Sequence, residues 1–252
     1  MKKLSGLSFF SALLSLLLAL LLFSGLAQAY VYDTINLTDD GPDTGYFTYT
    51  PGSYPLSFST NAQIIDKLGS TSPISGAFTV VMQYSGFDAI NTTKPSAGNE
   101  FVGSSIDLQV GFSGSSPNLA SVYEYTDGNG TYFEALKYVG TTKTHLYLPT
   151  PGPDAKGVTN GWLAISYNGK SGSGGMLTLM YSLNDITWNT LGTWDPGWTA
   201  DPYFFVEGYN PDGTSLEFKV NAIDIVPLPP SLFLLGPSLL GLRALGWRRQ
   251  QG

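Results

Sequence analysis

The 252-residue chain contains no cysteine. That excludes disulfides, thiol catalysis and cysteine zinc sites, so stability has to come from a sizeable core. Histidine is almost absent as well: His145 is the single one. It reads as a surface or strand residue, because no Gly-x-Ser-x-Gly elbow accompanies it. Arginine is missing from the whole stretch between Tyr30 and Val226. Arg243, Arg248 and Arg249 stand near the C-terminus, and Lys2 and Lys3 near the N-terminus. The central segment therefore holds seven lysines against all nineteen acidic residues, a net charge of about −12. Such a domain repels nucleic acid and anionic lipid, which excludes a nucleic-acid partner. Its size suits one domain.

What is present begins with two apolar ends. Lys2 and Lys3 precede a nearly unbroken apolar run from Leu7 to Leu22, followed by the small-residue step Ala27-Gln28-Ala29. Positive start, apolar stretch and small residues make a secretory signal, recognised by signal peptidase. The reading places a signal helix over residues 1–29, cleavage after Ala29 and Tyr30 as the first mature residue; an uncleaved anchor is the alternative. At the other end, Val226-Pro227-Leu228-Pro229-Pro230 breaks the last strand pattern, since proline cannot extend a ladder. A mostly apolar segment from Leu228 to Trp247 is long enough to cross a bilayer as a transmembrane helix. The arginines beyond it would stay in the cytoplasm, leaving the domain outside.

This tail resembles the PEP-CTERM sorting signal in a Val-Pro-Leu-Pro form. The residues that carry the likeness are Val226, Pro227, Leu228 and Pro229, then the apolar run with Gly236 and Gly241, then Arg243, Arg248 and Arg249. Leu228 stands where the family usually has Glu, and Pro237 and Arg243 interrupt the run. The resemblance covers only residues 227–252 and Val226 before them. It implies processing by an exosortase near the proline pair, in a Gram-negative cell that makes exopolysaccharide. It further implies transient inner-membrane anchoring, then residence in the envelope, at the outer surface or in the extracellular matrix. An ordinary tail anchor is the alternative.

Between the ends, residues 30–226 read as an all-β domain. Ile106, Leu108, Val110 and Phe112 alternate with Asp107, Gln109 and Gly111, and Leu216, Phe218, Val220 and Ala222 alternate with Glu217, Lys219 and Asn221. Both are period-two patterns of strands with one buried face. Near Ala222 the phase passes to Ile223 and Ile225, as a bulge would cause. Further strands are expected over residues 77–84, 119–126, 131–139, 162–168, 176–182 and 203–209, with a hairpin turn at Asp127-Gly128-Asn129-Gly130. A short helix or helical turn is expected at residues 62–68. Many short strands with Gly/Pro turns argue for an antiparallel sandwich.

From Gly161 to Ile225 the chain resembles concanavalin A-like jelly rolls of the laminin-G and secreted bacterial kind. The matching features are the strand ending Tyr181-Ser182, the turn Leu183-Asn184-Asp185, the returning Trp188 and the long last strand. The resemblance implies a jelly-roll β-sandwich. Glucanases of that fold carry a Glu-x-Asp-x-x-Glu or Glu-x-Asp-x-Glu strand, and neither spacing occurs here. Glu124 and Glu134 remain a carboxylate pair that a hairpin could bring together for glycoside hydrolysis. No complete catalytic constellation is found, so a non-enzyme is expected.

Two constellations could bind ligands. Asp39, Asp40 and Asp43 cluster around Gly41-Pro42 and could hold calcium, although Asp-Gly-Pro is also plain turn chemistry. Trp194, Trp198 and Tyr203 surround two Asp-Pro steps and could stack on sugar rings, or simply cover the rim of the core. The expectation is an exported protein that binds exopolysaccharide or serves structurally, with a glycan-cleaving enzyme or an adhesin without small ligand as alternatives.

Overall fold

In the computed structural model, residues 30–94, 102–114, 117–147, 152–170 and 172–228 are described. The expected signal peptide up to Ala29 and the tail from Pro229 lie outside the described residues. Tyr30–Val226 forms one compact unit. In chain order its strands are β1 (Tyr30–Val31), β2 (Leu37–Asp39), β3 (Phe47–Thr48), β4 (Leu56–Thr60) and β5 (Ile64–Ser70). There follow β6 (Phe78–Ala89), β7 (Ser104–Phe112), β8 (Asn118–Asp127), β9 (Gly130–Val139) and β10 (Thr142–His145). The last are β11 (Asn160–Tyr167), β12 (Leu177–Ser182), β13 (Trp188–Trp194), β14 (Tyr203–Asn210) and β15 (Leu216–Pro227).

They form two antiparallel sheets. The first runs β13-β12-β11-β6-β15-β4-β3, with β1 paired to β15. The second runs β10-β9-β8-β7-β14-β5-β2. Strands distant in sequence lie side by side, such as β7 with β14 and β6 with β15, as in a jelly-roll sandwich. Alternate side chains from both sheets meet in one core, which includes Phe58, Phe78, Val80, Leu108, Val122, Phe204 and Phe218. Phe58 stacks on Phe218 at 4.7 Å between centroids, and Phe47 meets Phe58 edge-on at 5.0 Å.

Turn chemistry fixes the hairpins as their residues require. Asp127 Oδ1 accepts from the N–H groups of Asn129 and Gly130, which closes the β8–β9 turn. In the β12–β13 turn Asn184 Oδ1 accepts from the amides of Ile186 and Thr187, while Asp185 takes φ = 57°. On β15 the buried positions pass from Leu216, Phe218 and Val220 to Ile223 and Ile225, so the phase shift near Ala222 is present.

The structure corrects two expectations. The segment expected as a helix at 62–68 is β5, because Ile64, Asp66 and Leu68 alternate inward at period two and pair with β14 and β2. On β7, moreover, both faces are buried, from Ser104 to Gly111. The polar positions Asp107 and Gln109, which alternation assigns to solvent, are covered.

Candidate functional site: a cleft across the second sheet

What covers those polar positions is the wall of a cleft of about 280 Å³ on the outer face of the second sheet. Strand register builds it in ranks. Cross-strand pairing puts Glu134, Tyr123, Asp107, Glu207 and Lys67 in a single row over β9, β8, β7, β14 and β5. The row on one side is Tyr132, Tyr125, Ser105, Tyr209 and Ile65. On the other side it is Leu136, Ser121, Gln109, Phe205 and Gly69. An ionic rank thus runs beside an aromatic one. Pro42 from the β2–β3 connection, Ser113, Gly114 and Pro117 from the β7–β8 connection, and Lys143 of β10 also line it, with Gly103, Leu119 and Tyr138.

Each acid of the ionic rank has its own polar partners. Asp107 accepts from the hydroxyls of Ser105 at 2.5 Å and Ser121 at 2.8 Å. Its cross-strand neighbour Glu207 forms an ion pair with Lys67 at 3.0 Å. Glu134 accepts from the Tyr123 hydroxyl at 3.1 Å and is bonded to His145 Nδ1. Burial, reinforced by the Glu207 charge, pushes the Asp107 carboxyl well above the usual carboxylate range. Burial also raises Glu134, against the pull of His145. Gln109 sits at the cleft with 2% exposure, and its Oε1 has no hydrogen-bond partner. A buried acceptor without a donor is rare in a folded domain. The tyrosines are arrayed for contact too: Tyr123, Tyr125 and Tyr132 lie in series with centroids 5.5 and 5.6 Å apart.

The ligand residues expected from sequence are only partly brought together. Tyr203 lies on the same strand as Glu207, two further steps along its face, and lines a separate hollow with Phe205 and Asp40. Trp194 and Trp198 sit elsewhere, in edge contact at 6.3 Å. Trp198 is a core residue with 3% exposure, held against Tyr167 and Phe112, and its Nε1–H donates to Asn118 Oδ1 at 3.1 Å. Its ring is therefore rim packing, not a free stacking face. Trp198→Ala is expected to cost about 3–5 kcal/mol of stability in urea unfolding, so a binding loss in that variant would report unfolding.

In the acidic loop one carboxylate bonds locally and another reaches across to β5. Asp39 Oδ1 accepts from Gly41 N–H and Asp43 Oδ2 from Ile65 N–H at 2.8 Å. Among the described residues no group of three or more His, Asp or Glu side chains is placed to hold a metal ion. Glu124 and Glu134 are also separated. Glu134 pairs with Tyr123 and faces the cleft, whereas Glu124 pairs with Phe133 and points into the core, where the Tyr84 hydroxyl donates to it. A one-residue offset on a strand reverses the face.

The chain matches no protein-family profile and no curated protein. Its fold is shared with solved structures at low identity. One is a functionally unknown protein from Saccharomyces cerevisiae (TM-score 0.58, 11% identity, 78% of this chain and 100% of that one). Another is the exoplasmic/lumenal domain of VIP36 in its Ca2+/Man3GlcNAc-bound form (0.53, 13%, 79% and 88%). A third is the CBM2 module of the evolved Dit of Lactobacillus casei BL23 phage J-1 (0.50, 13%, 79% and 96%). The chain is thus an all-β jelly-roll sandwich of two antiparallel sheets, the fold it shares with these structures.

Proposed function

We propose that this is an exported, exosortase-sorted protein of the cell envelope or exopolysaccharide matrix whose sandwich binds carbohydrate without cleaving it. The observation that carries the binding role is the cleft. Tyrosine rings beside a row of hydrogen-bonding side chains are the lining that a polyhydroxylated ring requires. The VIP36 domain of the same fold, solved with Man3GlcNAc, supports the choice of ligand class. The tail beginning Val226-Pro227-Leu228-Pro229 and the signal ending at Ala29 supply the route and the processing partners.

The non-catalytic role follows from how the carboxylates are used. Asp107 is held by two serines, Glu207 by Lys67 and Glu134 by Tyr123 and His145. Hydrolysis is the second reading, favoured by the direct cross-strand placement of Asp107 and Glu207. Reducing-sugar release abolished by Asp107→Asn would establish it. Asp39 and Asp43 each give one carboxylate oxygen to a backbone amide, of Gly41 and Ile65, and keep the other, so a calcium role for this loop stays a separate proposal, tested by a calcium titration of the melting temperature.

Tyr125→Ala and Tyr209→Ala are expected to weaken retention on the native matrix polysaccharide by about tenfold or more. Undiminished retention by both, with circular dichroism unchanged, would remove the cleft as the binding site. Intact mass of the secreted protein tests the sorting. A chain lacking both ends is expected, and one still carrying the Arg248-Arg249 tail would reduce exosortase sorting to simple anchoring.

A further inference from the structure

We propose that the opposite side of the sandwich is a second glycan surface: the outer face of the first sheet takes an extended, uncharged β-1,4-linked glycan laid flat across its strands. It is independent of the cleft, which lies on the other sheet. Register again makes the surface. Leu163, Ile165, Leu177 and Leu179 belong to the core, so the residues alternating with them point outward. Pairing across β13, β12, β11 and β6 then gives three outward ranks. One is Trp188, Ser182, Trp162 and Gln83, and the next is Thr190, Met180, Ala164 and Val81. The third is Thr193, Thr178, Ser166 and Thr79, where the Thr79 hydroxyl donates to Ser166 Oγ at 3.0 Å. None of these positions is charged, in a central segment whose net charge is about −12.

Two tryptophans define what fits. Trp162 and Trp188 are both partly exposed and stand two strands apart, about 9.6 Å by strand spacing. That is close to one disaccharide repeat of an extended β-1,4-linked chain, whose alternate rings present the same C–H face. Each indole can therefore stack on one such ring. Between them Ser182 is buried, and its hydroxyl donates to the Thr187 carbonyl at 2.8 Å. Asn184 Oδ1 holds the same turn through the amides of Ile186 and Thr187, so a fixed hairpin presents Trp188. The threonine rank adds hydroxyls that bond sugar hydroxyls without adding charge. A second copy of the chain fits less well. Four strands by five residues cover only about 300 Å², whereas a stable protein interface takes about 800 Å² from each partner.

The test is retention of the secreted protein on two insoluble glucans: microcrystalline cellulose, where the chains lie extended, and starch granules, where they coil. Partition onto cellulose is expected to exceed that onto starch by about tenfold or more. Trp162→Ala and Trp188→Ala should each lower it by about fivefold or more. Thr190→Glu, at an exposed position two residues from Trp188 on the same face, leaves both rings in place and should act in the same direction. It keeps the test decisive if a tryptophan variant does not fold. Equal partition onto both glucans overturns the inference, as does full retention in the variants that fold. Loss in Tyr125→Ala with retention in Trp162→Ala assigns the binding to the cleft, which overturns this surface and leaves the saccharide cleft standing. A dimer in analytical ultracentrifugation that Trp188→Ala dissociates makes a second copy the occupant and overturns the inference too.

Discussion

Heat should unfold this protein more easily at about pH 8 than at about pH 5, reversing the usual acid sensitivity of globular domains. The reason is the direction in which its buried carboxyls are shifted. Glu124 is fully enclosed between the sheets, and burial pushes its carboxyl up to about 8, only partly opposed by the Tyr84 hydroxyl. Asp107, Asp66, Glu134 and Asp224 are all raised as well, each chiefly by burial. A raised carboxyl keeps its proton in the folded chain and releases it in the unfolded one. Folding is therefore favoured fully below the unfolded value of 4.5 for Glu124, and that contribution is lost as pH climbs towards about 8.

Each such group contributes a slope of at most about 1.4 kcal/mol per pH unit inside its window. For a domain of this size, roughly 2–4 °C of melting temperature accompanies each kcal/mol. The melting temperature is expected to fall by at least about 5 °C between the two pH values. Glu124→Gln separates the core acid from the cleft. The amide keeps an acceptor for Tyr84 and cannot ionise, so the variant should match the parent near pH 5 and exceed it near pH 8. A melting temperature that is flat or rising over this range would contradict the assignment of Glu124 as a neutral core acid. So would an unaltered slope in Glu124→Gln.

Much of the fold is legible in the chain because one face of most strands is strongly apolar. The alternation of Ile106, Leu108 and Val110, and of Leu216, Phe218 and Val220, survives intact as the inward face. The turns at Asp127 and Asn184 are legible because their side chains bond locally. Residues 64–70 escaped because their pattern is interrupted by Asp66. Its carboxylate is drawn inward by the amides of Tyr46 and Phe47, at 2.8 and 3.1 Å.

The cleft itself is not legible locally. Ser105, Asp107 and Gln109 read as an ordinary solvated face, and nothing within β7 indicates that Glu207, a hundred residues later, stands beside Asp107. Register across five strands makes the site, and register is a property of the assembled sheet. The one available signal was the outward file on β14, Tyr203, Phe205, Glu207 and Tyr209, which is too aromatic for a face meant for water. Trp194 and Trp198 are the reverse case: beside two Asp-Pro steps they read as a stacking platform, yet Trp198 belongs to the core and Trp194 packs against it.

The inner side of β14 determines how firmly that file is held, and it depends on a pairing of the smallest residue with a large one. Gly208 faces the Phe58 ring, where an added Cβ would overlap ring carbons. Phe58 cannot retreat easily, being stacked on Phe218 and closed off by Phe47. Gly208→Ala is thus an overpacking change expected to cost about 1–3 kcal/mol. Phe58→Ala removes a fully buried ring and should cost about 3–5 kcal/mol. The two effects should not add, because the cavity left by Phe58→Ala receives the new methyl group. In that background Gly208→Ala should become neutral or stabilising, a coupling of about 1–3 kcal/mol in urea unfolding. Additive losses would show that β14 yields to the methyl group by moving its backbone. In that case Glu207 and Tyr209 would move too, and Gly208→Ala alone would weaken glycan retention at full occupancy of the folded state.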